Sequence, residues 1–360
     1  MKKFVRYLLM VIATILLVVI GYVSYVFLSY SRAEDNLPLT VTGQGTEEIL
    51  PNNPYIIATY NIGYAAYSPD YSFFMDGGKY SRGFSEAAIK ENLTGIIDTT
   101  KEINPDFAFF QEVDEQATRS YGVNQVDALE RSFADYSSIY GENYRSAYLF
   151  YPVTEPIGQS KSGLVTISKG KITESTRYSL PIETNFNKFF DLDRAFTVSD
   201  VPVANGRTLT LINVHLSAYT KDPKIQKAQI KKLSEAMSRS YQAGNYVIVG
   251  GDYNHALLED SETVFKNSEQ SFSWNQPFPK DELPEGFSIP ETGLAEAAIP
   301  SVRNLDEDYQ KGRTFVTLID GFIVSNNISV KEISVLDKGF QYSDHNPVQL
   351  TFELTEGSAK

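Results

Sequence analysis

Tyr342-Ser343-Asp344-His345-Asn346-Pro347 stands between two apolar runs near the end of the 360-residue chain. An acid and a histidine are adjacent there. Pro347 stops a helix and fixes the chain as it enters a last strand over Val348–Leu354. The chain has only three histidines, His215, His255 and His345. Each lies at or just beyond a β-like apolar run and close to an Asn or Asp. One such histidine is easily a core residue; three in the same kind of place ask what else could meet Asp344 and His345 in space.

Working outward, polar side chains suited to metals or proton transfer recur where apolar strands end. Asn61 ends a β-like run from Tyr55. Glu112 follows the buried run Phe107–Phe110. Asn213 and His215 are two apart on one strand, so a period of 2 points them to the same side. Asp252 and Asn254 follow the run Tyr246–Val249 through Gly250-Gly251. Asp320 interrupts the run Val316–Val324. Each alone reads equally well as turn or loop polarity. Together they form one ordered set at one kind of position.

That set resembles the endonuclease/exonuclease/phosphatase superfamily, the deoxyribonuclease-like fold. The matching pieces are Thr59-Tyr60-Asn61-Ile62, Phe110-Gln111-Glu112-Val113, Ser162-Gly163-Leu164-Val165-Thr166-Ile167-Ser168, Asn213-Val214-His215-Leu216, Gly251-Asp252-Tyr253-Asn254, Ile319-Asp320-Gly321-Phe322 and Ser343-Asp344-His345-Asn346-Pro347. The resemblance implies an α/β (α+β) fold, a four-layer sandwich of two packed mixed β-sheets flanked by helices, with the site at one end. It implies metal-dependent hydrolysis of a phosphate ester. Glu112 looks like the principal Mg²⁺ ligand, with Asn61 and Asp344 nearby and Mn²⁺ as an alternative ion; carboxylate and amide oxygens are the hard donors such ions take. Asp252 and Asn254 look like the pair that orients the attacking water and the phosphate. His345 looks like a proton-transfer group or phosphate contact held by Asp320. His215 resembles a second histidine of the deoxyribonuclease and sphingomyelinase branches, which leans towards phosphodiesters. Tyr60 and Tyr253 stand where the superfamily often carries Trp or Phe. No acidic partner for His215 is evident; Glu142 and Glu155 are the candidates. Arg119, Arg145, Lys161 and Arg194 are candidate phosphate contacts, since a guanidinium matches phosphate geometry; each reads as readily as a surface charge. His255 reads as a surface or supporting residue.

The rest of the chain sets the context. Lys2, Lys3 and Arg6 precede an uncharged run from Tyr7 to Ser31. A helix over it is about 35 Å long, enough to cross a bilayer. No Ala-x-Ala cleavage site comes after it, which favours an uncleaved single-pass anchor over a signal peptide. The basic residues ahead of the run put the N-terminus in the cytoplasm and the rest outside the cell membrane. Four of the 32 basic residues and none of the 45 acidic ones lie in residues 1–32, so the remainder carries 28 basic against 45 acidic, a net charge of −17. Such a domain repels polyanions at long range and argues against tight nonspecific DNA binding. The absence of cysteine excludes disulfides, Cys-zinc sites and thiol catalysis.

The expected organisation is a basic tip and anchor over 1–32, a tether over 33–53, the catalytic domain over 54–354 and a tail over 355–360. Strand candidates are Tyr55–Ile62, Phe107–Phe110, Ala147–Tyr151, Gly163–Ile167, Ile172–Leu180, Ala195–Val203, Thr208–Val214, Tyr246–Val249, Phe315–Ser325, Ile328–Leu336 and Val348–Leu354. Helices are expected from Ser85-Glu86 to Asn104-Pro105 and from Asp222-Pro223 to about Tyr241, with Gly244 as the stop. Asn205-Gly206 signals a hairpin. Residues 64–84 read as an aromatic loop, and 256–314 as an irregular segment suited to a functional loop or lid. Ordinary loop packing is the preferred reading of that loop and of the Trp274 segment, with a rim for a lipid or sugar as the alternative.

The leading expectation is a membrane-anchored, extracellular phosphodiesterase, nuclease-like or sphingomyelinase-like. Its substrate would be a nucleic acid, a phospholipid headgroup or a small phosphoester, with the membrane as its other partner and no protein partner evident. The runner-up is a phosphomonoesterase such as an inositol-phosphate phosphatase. A reading of another class is a catalytically silent surface-binding module.

Overall fold

The computed structural model describes residues 2–189, 192–218, 223–266, 272 and 274–356. It begins with helix α1 (Lys2–Ser29), whose apolar residues are nearly all exposed; only Val26 is buried. By length and composition α1 can cross a membrane.

The next strands are β1 (Leu37–Pro38), β2 (Val41–Gly43), β3 (Pro54–Asn61), β4 (Phe107–Ala117), β5 (Ser137–Leu149), β6 (Gly158–Ser168), β7 (Glu174–Ser179), β8 (Ala195–Pro202), β9 (Thr208–His215) and β10 (Tyr246–Asp252). Phe287–Ser288, Asp320–Ser325, Ile328–Val335 and Val348–Leu354 complete two sheets of seven strands. One sheet runs β1-β7-β8-β9-β10, then Asp320–Ser325 and Phe287–Ser288. The other runs from Ile328–Val335 through Val348–Leu354 to β3-β4-β6-β5-β2. Each sheet is mixed, with one parallel pair near its centre: β9 with β10 in the first, β3 with β4 in the second. The remaining pairs within the two sheets are antiparallel.

A period of 2 sorts the side chains. On β3 and β4, Tyr55, Ile57, Phe107 and Phe109 face the core shared with the other sheet, while Ala58, Tyr60, Ala108 and Phe110 pack outward. The outer layer there is helix α2 (Glu86–Ile103) and the short α3 (Gln125–Ser132). Helix α4 (Pro223–Gln242) covers the other sheet through Ile230, Leu233 and Met237. The Ser85 side chain caps α2 by accepting from the Ala88 N–H, and Asn104 ends it in the left-handed region at φ 49°. The expected start of α4 at Asp222 lies outside the described residues. Gly206 turns the β8–β9 hairpin at φ 82°, and Gly244 comes just after α4 at φ 88°.

Three expectations change. Residues 33–53 do not hang free as a tether: β1 pairs with β7 and β2 with β5, so this segment edges both sheets. Two- and three-residue edge strands are too short to show an alternation. β5 extends from Ser137, well ahead of the expected Ala147, because Ser137-Ser138 and Gly141-Glu142 carry no apolar alternation yet pair along β6. The run Phe315–Ser325 splits into Val316–Thr317 and Asp320–Ser325, so Asp320 opens a strand instead of interrupting one. Residues 256–314 hold short ordered pieces, among them Ser261–Val264, Leu294–Ala297 and Val302–Arg303; 267–271 and 273 lie outside the described residues. In the tail, the Thr355 N–H donates to Asn327 O, and 357–360 lie outside the described residues.

Candidate active site

The two parallel pairs end at the same end of the sandwich, and strand C-termini of such pairs are where open α/β sheets hold ligands. β3 delivers Asn61, β4 delivers Gln111 and Glu112, β9 delivers His215, and β10 delivers Asp252 opposite Asp320. Beneath them a buried amide network ties the two sheets together. Gln111 Nε2 donates to Asn213 Oδ1 at 2.8 Å and to Thr59 Oγ1 at 3.1 Å, and Asn213 Nδ2 donates to Val165 O at 3.0 Å. Asn213 and His215 thus share a side of β9, one bracing the sheets and one facing the cavity.

Asp252 is the hub. Its Oδ2 accepts from Asn61 Nδ2 at 2.9 Å and stands 3.5 Å from His215 Nε2 and 3.8 Å from His345 Nε2. Its Oδ1 accepts the Asn254 N–H at 2.8 Å, and Asn254 Nδ2 donates to Leu216 O. The turn that carries this pair needs Gly251: at φ 147°, a Cβ there would lie 1.9 Å from Val214 O. His345 Nδ1 is 2.7 Å from Asp320 Oδ2, and that oxygen also accepts from Ser301 Oγ at 2.7 Å. Ser301 in turn accepts the backbone N–H groups of Ile319 and Asp320. The orientation of His345 is therefore set two residues deep.

Glu112 and Asp344 lie at the mouth side of this floor. β4 bulges between Phe110 and Val113, and Glu112 sits at φ 56° within the bulge. An interrupted ladder with a non-glycine residue in the left-handed region re-aims the carboxylate out of the sheet. Ser343 Oγ donates to Asn61 O at 2.9 Å and holds the Asp344 loop against β3. The Gly63 N–H donates to Asn61 Oδ1 at 3.0 Å, and a Cβ on Gly63 would lie 2.6 Å from Asp344 Oδ1. Asn61, Asp344 and Glu112 are thus grouped around Gly63 and the bulge.

Burial decides the charges. It pushes the Glu112 carboxyl up to about 8, aided by the neighbouring Asp344 charge. It raises Asp252 to about 7, with Asp320 adding to the shift, and raises Asp344 as well. For His345 burial works against the cation, but Asp320, Asp344 and Asp252 outweigh it and lift the imidazole to about 10. His215 goes the other way: burial, then Arg194 and His345, push it well below the ordinary histidine value. The two imidazoles beside one carboxylate oxygen are thus driven in opposite directions, His345 up and His215 down. Three desolvated carboxylates with hard oxygen donors also fit a divalent cation, which would offset their charge. A compact set of ligand atoms also exists in Asp252, Asp320 and His345, all within 4.8 Å of one another. There a cation would have to displace the His345–Asp320 hydrogen bond, so Glu112 and Asp344 are the better donors.

Above the floor is a cavity of about 260 Å³. The floor residues Glu112, His215, Asp252, Asn254, Asp344 and His345 line it, and Tyr64, Tyr67, Phe73, Met75, Leu192 and Trp274 form apolar walls. The aromatic loop and Trp274 therefore do both things open to them. The loop aromatics pack on one another, Trp274 packs on Phe315, and both groups face the cavity. Arg119 and Arg194 also line the cavity; Arg119 holds Asp114 at 3.0 Å and lies over the Tyr64 ring. Arg145 and Lys161 point elsewhere, to Glu142 and Glu115. The candidate partners of His215 are corrected: Glu142 is held by Arg145, Glu155 bonds Ser81, and the acids near His215 are Asp252 and Glu112. His255 is buried away from the cavity, with Nδ1 at 2.6 Å from Tyr253 O and its ring edge-on to Phe278. Sequence reasoning missed Ser301 and Arg303. Buried Arg303 reaches Ser68 O and Tyr71 O and clamps the aromatic loop, while its N–H donates to Asp344 O. A lone Ser and a lone Arg in an irregular segment carry no sequence signal for either role.

No family model matches the sequence, and no curated protein matches it. Solved structures do. An endonuclease/exonuclease/phosphatase from Beutenbergia cavernae is 16% identical with a TM-score of 0.57, over 84% of this chain and 72% of that one. The human Nocturnin catalytic domain with bound sulfate is 17% identical with a TM-score of 0.52, over 88% and 97%. TDP2 of D. rerio, complexed with a single-strand DNA product, is 15% identical with a TM-score of 0.52, over 84% and 100%. Identities this low speak to architecture alone, and on that evidence the chain has the endonuclease/exonuclease/phosphatase fold.

Proposed function

We propose that the chain is a membrane-anchored, extracytoplasmic, metal-dependent phosphoester hydrolase acting on a phosphodiester. The observation that carries this reading is the convergence of Glu112, Asp252, Asp344, Asn254, His345 and His215 on one cavity floor, with the His345 imidazole shifted up and that of His215 shifted down. Residues 1–32 are the anchor and 54–354 the catalytic domain, with 33–53 fastened along its edge and 355–360 the tail. The basic residues before α1 orient the chain with its N-terminus in the cytoplasm.

Glu112 and Asp344, with the Asn61 amide oxygen, would hold Mg²⁺ or Mn²⁺. When bound, the ion polarises a phosphoryl oxygen and offsets charge in the transition state. The protein's own groups do the rest. His345, cationic and fixed by Asp320, turns Nε2–H towards a phosphoryl oxygen and stabilises the charge that builds there. Asp252 holds the attacking water and takes its proton; a carboxylate raised to about 7 is a competent base near neutral pH. The Asn254 amide oxygen, with its nitrogen committed to Leu216 O, helps orient that water. Neutral His215 supplies a hydrogen bond at the far side of the same carboxylate. The new bond is water oxygen to phosphorus, the broken one phosphorus to the leaving oxygen, which departs as the alcohol with a proton from solvent. Apolar walls above a charged floor suit a diester, whose phosphate carries organic groups on both sides.

The test is hydrolysis by the full chain of a soluble aryl phosphodiester and of the matching monoester, with Mg²⁺, with Mn²⁺ and with a chelator. Metal-dependent diester turnover lost in Glu112→Gln and His345→Ala supports the reading. Monoester turnover alone makes it a phosphatase. A folded protein that neither turns over substrate nor binds metal is a binding module.

A further inference from the structure

The outer turns of α1 do not stand clear of the domain; they pack against two segments that lead into the cavity wall. Tyr22 OH accepts the Phe150 N–H at 3.0 Å and its ring meets Phe150 edge-on at 5.9 Å, while Tyr25 OH accepts the Tyr148 N–H at 3.2 Å. Just beyond α1, Tyr30 donates to Asp193 and Arg32 pairs with the same carboxylate at 3.3 Å. Both contacted segments continue into the cavity wall: Ile157 from the first, Leu192 and Arg194 from the second.

The loop that meets Tyr22 is apolar and exposed. Outside α1, seven large apolar side chains are exposed among the described residues, and three lie here: Phe150 at 58%, Tyr151 at 64% and Val153 at 81%. Met75 of the neighbouring cavity wall is a fourth, at 53%, and Tyr151 packs on Phe74. Such a patch marks an interaction surface. Depth along α1 says which. A hydrocarbon core of about 30 Å takes about 20 residues of helix. Counted from Tyr7, the first uncharged residue, the core ends near Val26. Tyr22 and Tyr25 then sit at its outer edge, where tyrosines concentrate, and Phe150 lies beside them at the same depth. A domain with net charge −17 would not be drawn to an anionic surface by its field. Apolar contact continuous with the span is what holds this face down.

We infer that loop 148–157 and the outer turns of α1 form one membrane-facing surface. The cavity then opens into the headgroup layer of the membrane that holds the chain, and its substrate is the phosphoester headgroup of a lipid in that membrane. This rests on the anchor and hydrolase readings above. The charged floor would take the phosphate and the apolar walls the part of the lipid nearest its chains.

The chain has no cysteine, so a single one can be labelled without ambiguity. Full-length Val153→Cys, and Glu332→Cys on the opposite edge strand of the β5 sheet, would carry an environment-sensitive fluorophore. Each would be reconstituted in vesicles of phosphatidylcholine, phosphatidylethanolamine and phosphatidylglycerol. The label at 153 is expected to be blue-shifted and quenched by spin-labelled lipid, and the label at 332 to behave as in water. Headgroup release from the same vesicles should fall at least tenfold in Val153→Asp, with turnover of a soluble aryl diester unchanged. Lipid supplied only in separate protein-free vesicles should be spared. A label at 153 as aqueous as at 332 overturns the surface. Equal loss on both substrates, equal attack on separate vesicles, or turnover of the soluble diester alone overturns the lipid substrate. An immersed label with no turnover of either substrate sinks the hydrolase reading, and the lipid substrate with it, but leaves the surface standing.

Discussion

The floor of the cavity and its rim are built on opposite principles. The floor is polar, buried and over-determined: Asp252 is met from three sides, and His345 is held by Asp320, which is held by Ser301. It stands on the ends of paired strands, so its atoms cannot shift without moving a sheet. The rim is aromatic and aliphatic, carried on loops, and partly open to solvent. The floor keeps charges buried at a cost in folding free energy that only chemistry or a bound cation offsets. The rim costs the fold almost nothing. In the proposed enzyme, the floor sets the reaction and the rim sets which substrate arrives.

That contrast can be broken most sharply at the floor. Glu112→Gln and His345→Ala should each lower turnover by about 10²–10⁴-fold, the range for loss of a positioned acid–base or electrostatic group. Glu112→Gln should also raise the melting temperature of metal-free protein, because an amide replaces a desolvated carboxylate, and should abolish the rise that Mg²⁺ gives the parent. A metal-free melting temperature that falls would show Glu112 to be structural.

The second consequence is a pH dependence. Glu112, Asp252 and His345 all have folded-state values above their ordinary ones, at about 8, 7 and 10 against 4.5, 3.8 and 6.5. Through these three groups the folded state binds more protons than the unfolded one, while His215, shifted down, acts in the opposite sense below its ordinary value. For each of the three, stability is highest below the ordinary value and is lost as pH rises through the folded one. Metal-free protein should lose stability from about pH 4 to pH 10, His345 acting mostly above pH 6.5. Urea unfolding across that range checks it. In Asp320→Asn the part above pH 6.5 should shrink, since the carboxylate that holds the His345 proton is gone.

Between floor and core, Asn213→Ala should destabilise by about 1–3 kcal/mol, the cost of taking one partner from the buried Gln111 amide and one from the Val165 carbonyl. Chemical denaturation measures it. At the rim the effects should be smallest on the fold and visible only in binding. Trp274→Ala should raise KM several-fold with kcat nearly unchanged, the mark of uniform binding. Val153→Asp should change stability by less than about 0.5 kcal/mol, as expected for a surface position. A rim variant that lowers kcat as much as Glu112→Gln would erase the distinction between the two regions.

How far each region could be read in the sequence tracks the same division. Asn61, Glu112, His215, Asp252, Asn254, Asp320, Asp344 and His345 were legible because each closes or adjoins an apolar run, and polar side chains at strand ends stand out against a β pattern. Seven short motifs in order then implied a sandwich, and the two mixed seven-stranded sheets agree with it. The edge strands β1 and β2 were not legible because two or three residues cannot show an alternation, and the first half of β5 because serine and glycine pair through backbone groups that leave no side-chain pattern. Ser301 and Arg303 were hidden for another reason. Their roles depend on partners as far away as Ser68 and Tyr71.

The sequence by itself determined the apolar N-terminal span, the acidic balance of residues 33–360, and the strand-end residues, because these depend on local composition and on periods of 2 and 3.6. Only the tertiary structure decided that the His345 imidazole is shifted up and that of His215 down, that the acids near His215 are Asp252 and Glu112, and that the outer turns of α1 pack against the end of β5 and the loop after it. Those properties come from burial and from contacts between residues far apart in the chain, such as Tyr22 and Phe150, and no local pattern records them.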